Sequence, residues 1–294
     1  MVAGDKDLAM RTLFVATLLP LLALTAAGPA QTGSAAPTQG RPPVPAPVRI
    51  ILVGASTVTP HTGWGGMFCA RHVVEMVACL NLAHGGRSTH TYRAEGFWDL
   101  ALREFAVAGY EATYVLIEMG HNDKSTNPDV GVDLRTEFPD NLRRFVIEAR
   151  AAGATPVLVT PLATRHFRDG KLFDTLSPWA EEVRSVASEM AVPLVELNRA
   201  SEEVYQGMGA EGAMAFSAVP PSEVERRAAQ AGTTLHPRVP SAVPVSDLLP
   251  ADDPRRSYTQ DYTHLNAQGA DVMSKAVATH LAPAVPELRG LIVP

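Results

Sequence analysis

The 294-residue sequence lacks a continuous basic stretch, a glycine-rich phosphate loop of either common type and an internal repeat. With 25 Lys and Arg against 31 Asp and Glu, the chain carries a formal net charge of -6, which argues against a nucleic-acid-binding surface. The missing phosphate loop leaves nucleotide chemistry poorly supported. Hydrophobic residues make up 46% of the chain and charged ones only 19%, so the sequence is typical of a globular protein with a full core.

Cysteine is nearly absent from the chain. Only Cys69 and Cys79 occur, and two cysteines are too few for a zinc site built from cysteine ligands. In an oxidising compartment they could form a disulfide, but two separate buried thiols explain the spacing equally well. The sequence leaves both arrangements open.

The N-terminal part differs in composition from the rest of the chain. Arg11 precedes an apolar run, 13–27, that ends in small residues, which is typical of a signal peptide over residues 1–30, with Met10 as an alternative start. A retained membrane anchor is the other interpretation, although the run is shorter than the roughly 20 residues that a span requires. Residues 31–47, rich in Pro, Gly and Ala, predict a flexible linker. We therefore expect a secreted or periplasmic protein without stable membrane association.

From residue 48 onwards, short apolar runs alternate with amphipathic ones. This alternation predicts an α/β domain, 48–284, in which crossover helices connect the strands of a parallel sheet. An irregular insertion rich in Pro, Ala and Ser interrupts it at about 218–257, and a tail, 285–294, follows it. The predicted strands are 48–53, 78–82, 113–119, 156–160 and 193–197. The predicted helices are 64–77, 97–107, 140–152, 178–190, 201–207, 222–230 and 265–281.

Four polar stretches follow the predicted strands or the insertion. They are Gly54-Ala55-Ser56-Thr57, His84-Gly85-Gly86-Arg87-Ser88, Gly120-His121-Asn122-Asp123 and Asp261-Tyr262-Thr263-His264. Each has an ordinary explanation when taken alone: a serine that caps or turns, glycines and Asn-Asp in tight turns, and an Asp-His pair that caps and packs against a helix. Because the carboxyl ends of parallel strands share one edge of a sheet, we expect all four stretches to meet there.

Together the four stretches contain the groups that acyl transfer requires. An acid and an imidazole three residues apart, Asp261 and His264, can activate a serine hydroxyl, here that of Ser56. The backbone N–H of Gly86 and the amide of Asn122 can donate to the oxyanion of a tetrahedral intermediate. This chemistry requires no metal and no cofactor. The α/β-hydrolase motif G-x-S-x-G does not fit, because valine follows where its second glycine belongs.

In these motifs the sequence resembles the SGNH, or GDSL-type, hydrolases, and within them the rhamnogalacturonan acetylesterase branch. Gly63-Trp64-Gly65 and Thr91-Tyr92-Arg93-Ala94-Glu95-Gly96 carry the resemblance as well. It implies the SGNH hydrolase fold, which is a flavodoxin-like three-layer α/β/α sandwich with a five-stranded parallel sheet. Ala55 departs from the family pattern, which usually has Asp at this position, and the departure puts the support of the serine loop in doubt.

The resemblance also assigns roles to site residues. It implies that Ser56 is the nucleophile, His264 its base and Asp261 the acid that orients the imidazole. The backbone N–H groups of Ser56 and Gly86 and the side chain of Asn122 would form the oxyanion hole. The activity implied is that of a serine esterase that removes acetyl groups from a polysaccharide, pectic rhamnogalacturonan above all. We expect the protein to act as a monomer.

Three residues are candidate contacts to such a substrate: Arg87, His121 and Trp64. Arg87 lies in a ten-residue loop with His84, His90 and Arg93 that contains no acid and suits galacturonate carboxylates. Arginine pairing with Glu95, Asp99 or Glu118 is the alternative for Arg87 and Arg93, and a place in the core is the alternative for Trp64 and Trp98.

Two other functions stay open at this point. An esterase or lipase of the same fold acting on xylan-type glycans or on small lipid or aryl esters would carry the same motifs. A catalytically inactive carbohydrate-binding domain is the other alternative, which is open because Ala55 replaces the Asp that the family usually has.

Overall fold

The structure is a computed structural model that describes residues 47–235 and 262–294. The predicted signal peptide, nearly all of the predicted linker, Asp261 and residues 236–257 of the predicted insertion lie outside the described residues. The domain boundaries at the N-terminal side therefore stay predictions.

A sheet of five parallel strands forms the centre of the molecule. Its strands are β1 (Val48–Gly54), β2 (Val77–Asn81), β3 (Thr113–Glu118), β4 (Thr155–Val159) and β7 (Leu194–Val195). A separate antiparallel hairpin consists of β5 (Phe167–Arg168) and β6 (Lys171–Leu172). The sheet order β2-β1-β3-β4-β7 is the flavodoxin-like order, so the predicted α/β class and five-stranded parallel sheet are confirmed.

Helices cover both faces of this sheet. They are α1 (Gly65–Arg71), α2 (Thr89–Ala94), α3 (Phe97–Phe105), α4 (Glu137–Ala151), α5 (Ser177–Glu189), α6 (Leu197–Ala213), α7 (Glu223–Gln230) and α8 (Ala267–Ala284). Alternate residues of β1 point to opposite faces: Ile50 and Leu52 pack in the core with α1, α6 and α8, and Ile51 and Val53 in the core with α3, α4 and α5. The result is the predicted three-layer sandwich. Among the described helices, none has the length and apolar character that crossing a membrane demands.

The first helix is shorter than the sequence predicts. A helix over 64–77 was expected, but α1 ends at Arg71. The residues after it pair with the C-terminal end of the chain instead: Val73 forms a bridge with Ile292, and the Val293 N–H donates to the His72 carbonyl. Residues 285–294, predicted as a tail, thus pack against the domain, and Leu288 is fully buried.

The helix α2 was not predicted, although the sequence contains its signal. The Ser88 hydroxyl accepts a hydrogen bond from the Thr91 N–H, and the Thr91 hydroxyl accepts one from the Ser88 N–H. These reciprocal bonds form a capping box, here with threonine at the third helical position in place of the usual Glu or Gln.

Cys69 and Cys79 form a disulfide, with their Cα atoms 5.4 Å apart. Cys69 lies in α1 and Cys79 in β2, so the bond ties a helix to the edge strand of the sheet. Of the two arrangements that the sequence left open, the structure contains the disulfide.

Candidate active site

Ser56 and His264 meet at the carboxyl edge of the sheet. The imidazole Nε2 of His264 lies 2.7 Å from the hydroxyl Oγ of Ser56, which is hydrogen-bond distance. Ser56 follows β1, and the chain passes from one side of β1 to the other between β2 and β3, which makes this a topological switch point, where open α/β sheets bind ligands. Asp261 lies outside the described residues, so its role in orienting His264 stays a prediction.

The turn that carries Ser56 is held by hydrogen bonds to its own backbone. The Ser56 carbonyl accepts bonds from the hydroxyls of Thr59, at 2.7 Å, and Thr62, at 3.2 Å. Gly63 has to be glycine, because a Cβ atom there would lie 2.1 Å from the backbone of Thr57. The motif Gly63-Trp64-Gly65 is thereby explained: its backbone packs directly on the serine turn.

A buried carboxyl group, Glu118, lies beside the same turn. Its Oε1 accepts hydrogen bonds from the Thr57 hydroxyl, at 3.0 Å, and from the Leu162 N–H, at 3.1 Å, while Oε2 accepts one from the Trp64 indole at 2.6 Å. Burial raises the pKa of Glu118 to about 7, and the bonds from Trp64, Leu162 and Thr57 act against this shift. Glu118 therefore links the residue after Ser56 to the ends of β3 and β4.

Glu118 bears on two of the predictions. Trp64 is fully buried and donates its indole N–H to Glu118, so the prediction that Trp64 contacts substrate is wrong. Ala55 is 2% exposed and contributes no polar group where the family usually has Asp. A carboxyl group supports the serine turn all the same, through Thr57 rather than through the residue before Ser56.

His121 belongs to the same internal network. Its Nε2 lies 2.9 Å from the Leu162 carbonyl, and its Nδ1 lies 3.5 Å from both Glu118 Oε1 and the Thr57 hydroxyl. The side chain is only 6% exposed, which leaves almost no ring surface for a substrate. The prediction that His121 contacts substrate is not supported by this packing.

The three predicted oxyanion donors lie in the loops that follow β1, β2 and β3. Gly86 adopts a φ of +80°, and its neighbour Gly85 is so close that a Cβ there would lie 3.6 Å from the Ser56 Cβ. Within residues 47–235 and 262–294, the N–H groups of Ser56 and Gly86 have no acceptor. Asn122 donates one amide hydrogen to the Arg87 carbonyl at 3.1 Å and keeps a second. This arrangement suits the predicted oxyanion hole.

Asp123 connects the two loops that carry these donors. Its carboxylate is fully buried and accepts bonds from the Thr89 N–H, at 2.8 Å, the Thr89 hydroxyl, at 2.6 Å, and the Gly120 N–H, at 3.0 Å. Burial raises its pKa to about 6, and the bonds from Thr89 and Gly120 oppose the rise. Sequence reasoning treated this aspartate as a turn residue and missed its function as a link.

Arg165 holds the segment that carries His264. Its guanidinium donates to the carbonyls of Thr263, at 3.2 Å, and His264, at 2.8 Å, and its backbone N–H donates to the Tyr262 carbonyl at 2.8 Å. The residue is 1% exposed and lies over the Tyr205 ring. No motif marked Arg165 in the sequence, where it is one arginine in a loop.

The basic loop predicted to face galacturonate is largely neutralised. Arg87 pairs with Glu95 at 2.6 Å, which confirms the alternative considered for it, and Arg93 pairs with Glu148 at 2.7 Å, which was not among the expected partners. Trp98 is buried and donates to Glu148 as well. Arg87 remains partly exposed, so a substrate contact by this residue stays a prediction.

Comparison with known proteins agrees with the geometry. The GDSL-like lipase/acylhydrolase family model matches residues 50–272. A rhamnogalacturonan acetylesterase from Bacillus subtilis is 28% identical over 240 residues, which cover 79% of this chain and 88% of the relative. A rhamnogalacturonan acetylesterase from Emericella nidulans is 27% identical over 232 residues, 77% of this chain and 82% of the relative.

Solved structures share the fold at lower identity. A Bacillus subtilis protein, YxiM, superposes with a TM-score of 0.56 at 20% identity over 81% of this chain, which spans 57% of that protein. A catalytic variant of an acetylxylan esterase from Geobacillus stearothermophilus gives a TM-score of 0.50 at 15% identity, with 81% of this chain and 95% of that chain covered. Motifs, fold and family match agree: the chain belongs to the GDSL-like lipase/acylhydrolase family and is a serine ester hydrolase.

Proposed function

We propose that this protein is a carbohydrate esterase that removes acetyl groups from pectic rhamnogalacturonan through an acyl-enzyme on Ser56. The observation that carries the proposal is the 2.7 Å contact between the Ser56 hydroxyl and the His264 imidazole at the edge of the sheet. The choice of substrate is supported by curated relatives named rhamnogalacturonan acetylesterase, which align over more than three quarters of this chain.

The reaction follows from the positions of the side chains. His264 Nε2 takes the proton of the Ser56 hydroxyl while Oγ attacks the acetyl carbonyl carbon. The carbonyl oxygen becomes an oxyanion that receives hydrogen bonds from the N–H groups of Ser56 and Gly86 and from Asn122. The intermediate collapses as the bond from the acyl carbon to the sugar oxygen breaks and the imidazolium protonates that oxygen, so the sugar leaves with a free hydroxyl and acetyl-Ser56 remains. Water, deprotonated by His264, then attacks acetyl-Ser56 and releases acetate.

Export is part of the same proposal. A substrate of polymer size lies outside the cell, and the predicted signal peptide over residues 1–30 would direct the chain there. The disulfide between Cys69 and Cys79 fits an oxidising compartment. N-terminal sequencing of protein recovered from the medium or periplasm of the producing cells tests this part.

Acetate release from a panel of substrates tests the proposal. We expect wild-type protein to release acetate from acetylated rhamnogalacturonan faster than from acetylated xylan, to cleave 4-nitrophenyl acetate, and to leave long-chain 4-nitrophenyl esters intact. Ser56→Ala should abolish every one of these activities. A preference for xylan or for long acyl chains would contradict rhamnogalacturonan as the substrate. A wild type that binds pectin without releasing acetate would indicate a binding domain.

A further inference from the structure

One cavity has none of the reacting residues Ser56, Asn122 and His264 in its described lining. Its volume is about 430 Å³, within the range of small-ligand sites, which is roughly 300–1,000 Å³. The hairpin β5–β6 forms one wall, and residues 233–235, after α7, form another. We refer to it as the hairpin pocket.

Two residues of the hairpin pocket connect it to chain segments that carry reacting groups. Lys124 lines it and lies two residues after Asn122, on the loop of the proposed oxyanion hole. His166 also lines it, and its ring packs edge-on against Tyr262, with centroids 4.8 Å apart, two residues before His264. These two connections are the reason for placing in the hairpin pocket a neighbouring sugar of a polymer whose acetyl group lies at Ser56.

The lining of the pocket has one sign of charge. Lys124 and Arg168 contribute the two charged groups, and the part of the lining that the structure describes includes no Asp or Glu. The contrast with the chain as a whole is clear, because its formal net charge is -6. A concentration of positive charge in a cleft of an acidic protein selects anionic ligands.

Lys124 and Arg168 differ in their hydrogen-bond and ion-pair partners. Lys124 donates to the Thr175 hydroxyl at 2.7 Å; burial of its ammonium group lowers its pKa, and the charge of Asp174 acts in the opposite direction. Asp174 itself is occupied by interior donors, Thr164 and Asn198 among them. Arg168 is exposed, and within the described part of the chain no carboxylate pairs with it. Its guanidinium is thus available to an external carboxylate.

The remaining lining suits a sugar. Phe173 is 54% exposed, and the Arg168 guanidinium lies 5.5 Å from its ring centre, so an apolar face and a cation stand side by side. Thr175 and Thr233 add hydroxyl groups to the lining. An aromatic face, hydroxyls and a guanidinium match the apolar face, hydroxyls and carboxylate of a uronic acid.

The walls are fixed in place before any ligand binds. The Gly170 N–H donates to the Gly232 carbonyl at 2.8 Å, and a Cβ at Gly232 would lie 2.9 Å from the Gly170 nitrogen. The Phe167 N–H donates to the Thr234 hydroxyl at 2.8 Å. The hairpin is therefore bonded to the segment after α7, which makes the pocket preformed.

We propose that the hairpin pocket is a subsite for a uronate unit of the substrate, with Arg168 and Lys124 binding its carboxylate and Phe173 packing on its ring. This rests on the proposed function, and it moves the recognition of galacturonate from the loop of Arg87 to a different part of the chain. Arg168 and Lys124 thus become specificity determinants for an acidic polysaccharide.

The kinetic test compares acetylated rhamnogalacturonan oligosaccharides with the same oligosaccharides after methyl esterification of their carboxylates. Arg168→Gln should raise KM for the acidic form about 10-fold, leave KM for the esterified form and kcat for 4-nitrophenyl acetate unchanged, and remove part of the salt dependence of KM. Lys124→Gln should act in the same direction, and Arg168→Lys should restore part of the loss. Arg103→Gln, an exposed arginine on α3 outside the pocket lining, is the matched control.

A binding measurement separates this inference from the proposed function. Calorimetric titration with oligogalacturonates free of acetyl groups reports on the pocket whether or not the enzyme deacetylates pectin. We expect binding by wild type and by Arg103→Gln, and binding about 10-fold weaker by Arg168→Gln. Equal affinities for wild type and Arg168→Gln, or equal KM changes for the acidic and esterified oligosaccharides, would overturn the inference. If the wild type binds oligogalacturonates but releases no acetate from rhamnogalacturonan, only the choice of polymer in the proposed function would be overturned.

Discussion

The His264 Nε2 atom lies 2.7 Å from the Ser56 Oγ atom, although 208 residues separate the two in sequence. Neither residue reaches this position by itself. Thr59, Thr62 and Thr57 hold the turn of Ser56, and Arg165 holds the backbone of His264.

Removal of the amide of Asn122 should impair turnover more than binding. Asn122→Ala deletes a donor that acts on the oxyanion, so kcat for 4-nitrophenyl acetate should fall about 10²- to 10³-fold while KM changes little. Steady-state kinetics with both constants resolved provide the measurement. A variant with wild-type kcat would remove Asn122 from the oxyanion hole.

Glu118 should make folding stability depend on pH. Its pKa is higher in the folded chain, about 7, than its ordinary value of 4.5, so the folded state holds the proton more tightly. The stabilisation is complete below about pH 4.5 and is lost as the pH rises to about 7, at about 1.4 kcal/mol for each unit of pKa difference. Urea unfolding of the wild type from pH 4.5 to 8 measures this slope.

Glu118→Gln is the matched variant for that measurement. It cannot ionise, so its stability should fall less steeply than that of the wild type over the same pH range. Glutamine replaces one carboxyl oxygen with an NH2 group, which then faces a donor: either the Trp64 indole or the pair from Thr57 and Leu162. The free energy of unfolding at pH 5 should therefore also fall by about 1–3 kcal/mol. Equal slopes for the two proteins would show that Glu118 does not titrate between these pH values.

Arg165 is a positioning residue for His264. Arg165→Met keeps a buried stem but removes the bonds to the Thr263 and His264 carbonyls, so kcat should drop at least about 10-fold with KM nearly constant. Arg165→Lys should recover part of kcat. Circular dichroism at the assay temperature checks that the variant is folded, and a fall in KM and kcat together with lost secondary structure would indicate a purely structural role.

The disulfide should contribute to stability without contributing to chemistry. Joining Cys69 to Cys79 closes a short loop, and replacing both cysteines with Ala should lower the free energy of unfolding by about 2–3 kcal/mol. Esterase kinetics of the folded variant should match those of the wild type. Chemical denaturation with and without reductant provides the comparison, and activity lost at temperatures where the variant is folded would contradict it.

The sequence predicted what depends on local pattern. Buried strands such as 113–119 stand out as apolar runs, and polar motifs at their ends mark one edge of the sheet, so the class, the sheet and the Ser56–His264 pair followed from spacing and family resemblance. What it did not predict depends on contacts between distant residues. Glu118 bonds to Thr57, 61 residues away in sequence, and Arg165 bonds to Thr263, 98 residues away. No motif in the sequence distinguishes either charged residue from one on the surface.

The errors have the same origin. Trp64 resembled a sugar-stacking residue until its burial and its bond to Glu118 were visible. The loop of Arg87 looked basic because its neutralising partner for Arg93, Glu148, comes from α4, 55 residues away. The hairpin pocket has no motif at all, since Lys124 lies in the loop after β3 and Arg168 in β5, and only the fold brings them together.

The central claim is that Ser56 forms an acyl-enzyme under the control of His264. Rapid mixing with 4-nitrophenyl acetate, acid quench and peptide mass spectrometry measure it directly. The account predicts one acetyl group on the peptide that contains Ser56 in the wild type, and none in Ser56→Ala or in a folded His264→Ala. Acetylation of another residue, or of Ser56 at an unchanged rate in His264→Ala, would contradict it.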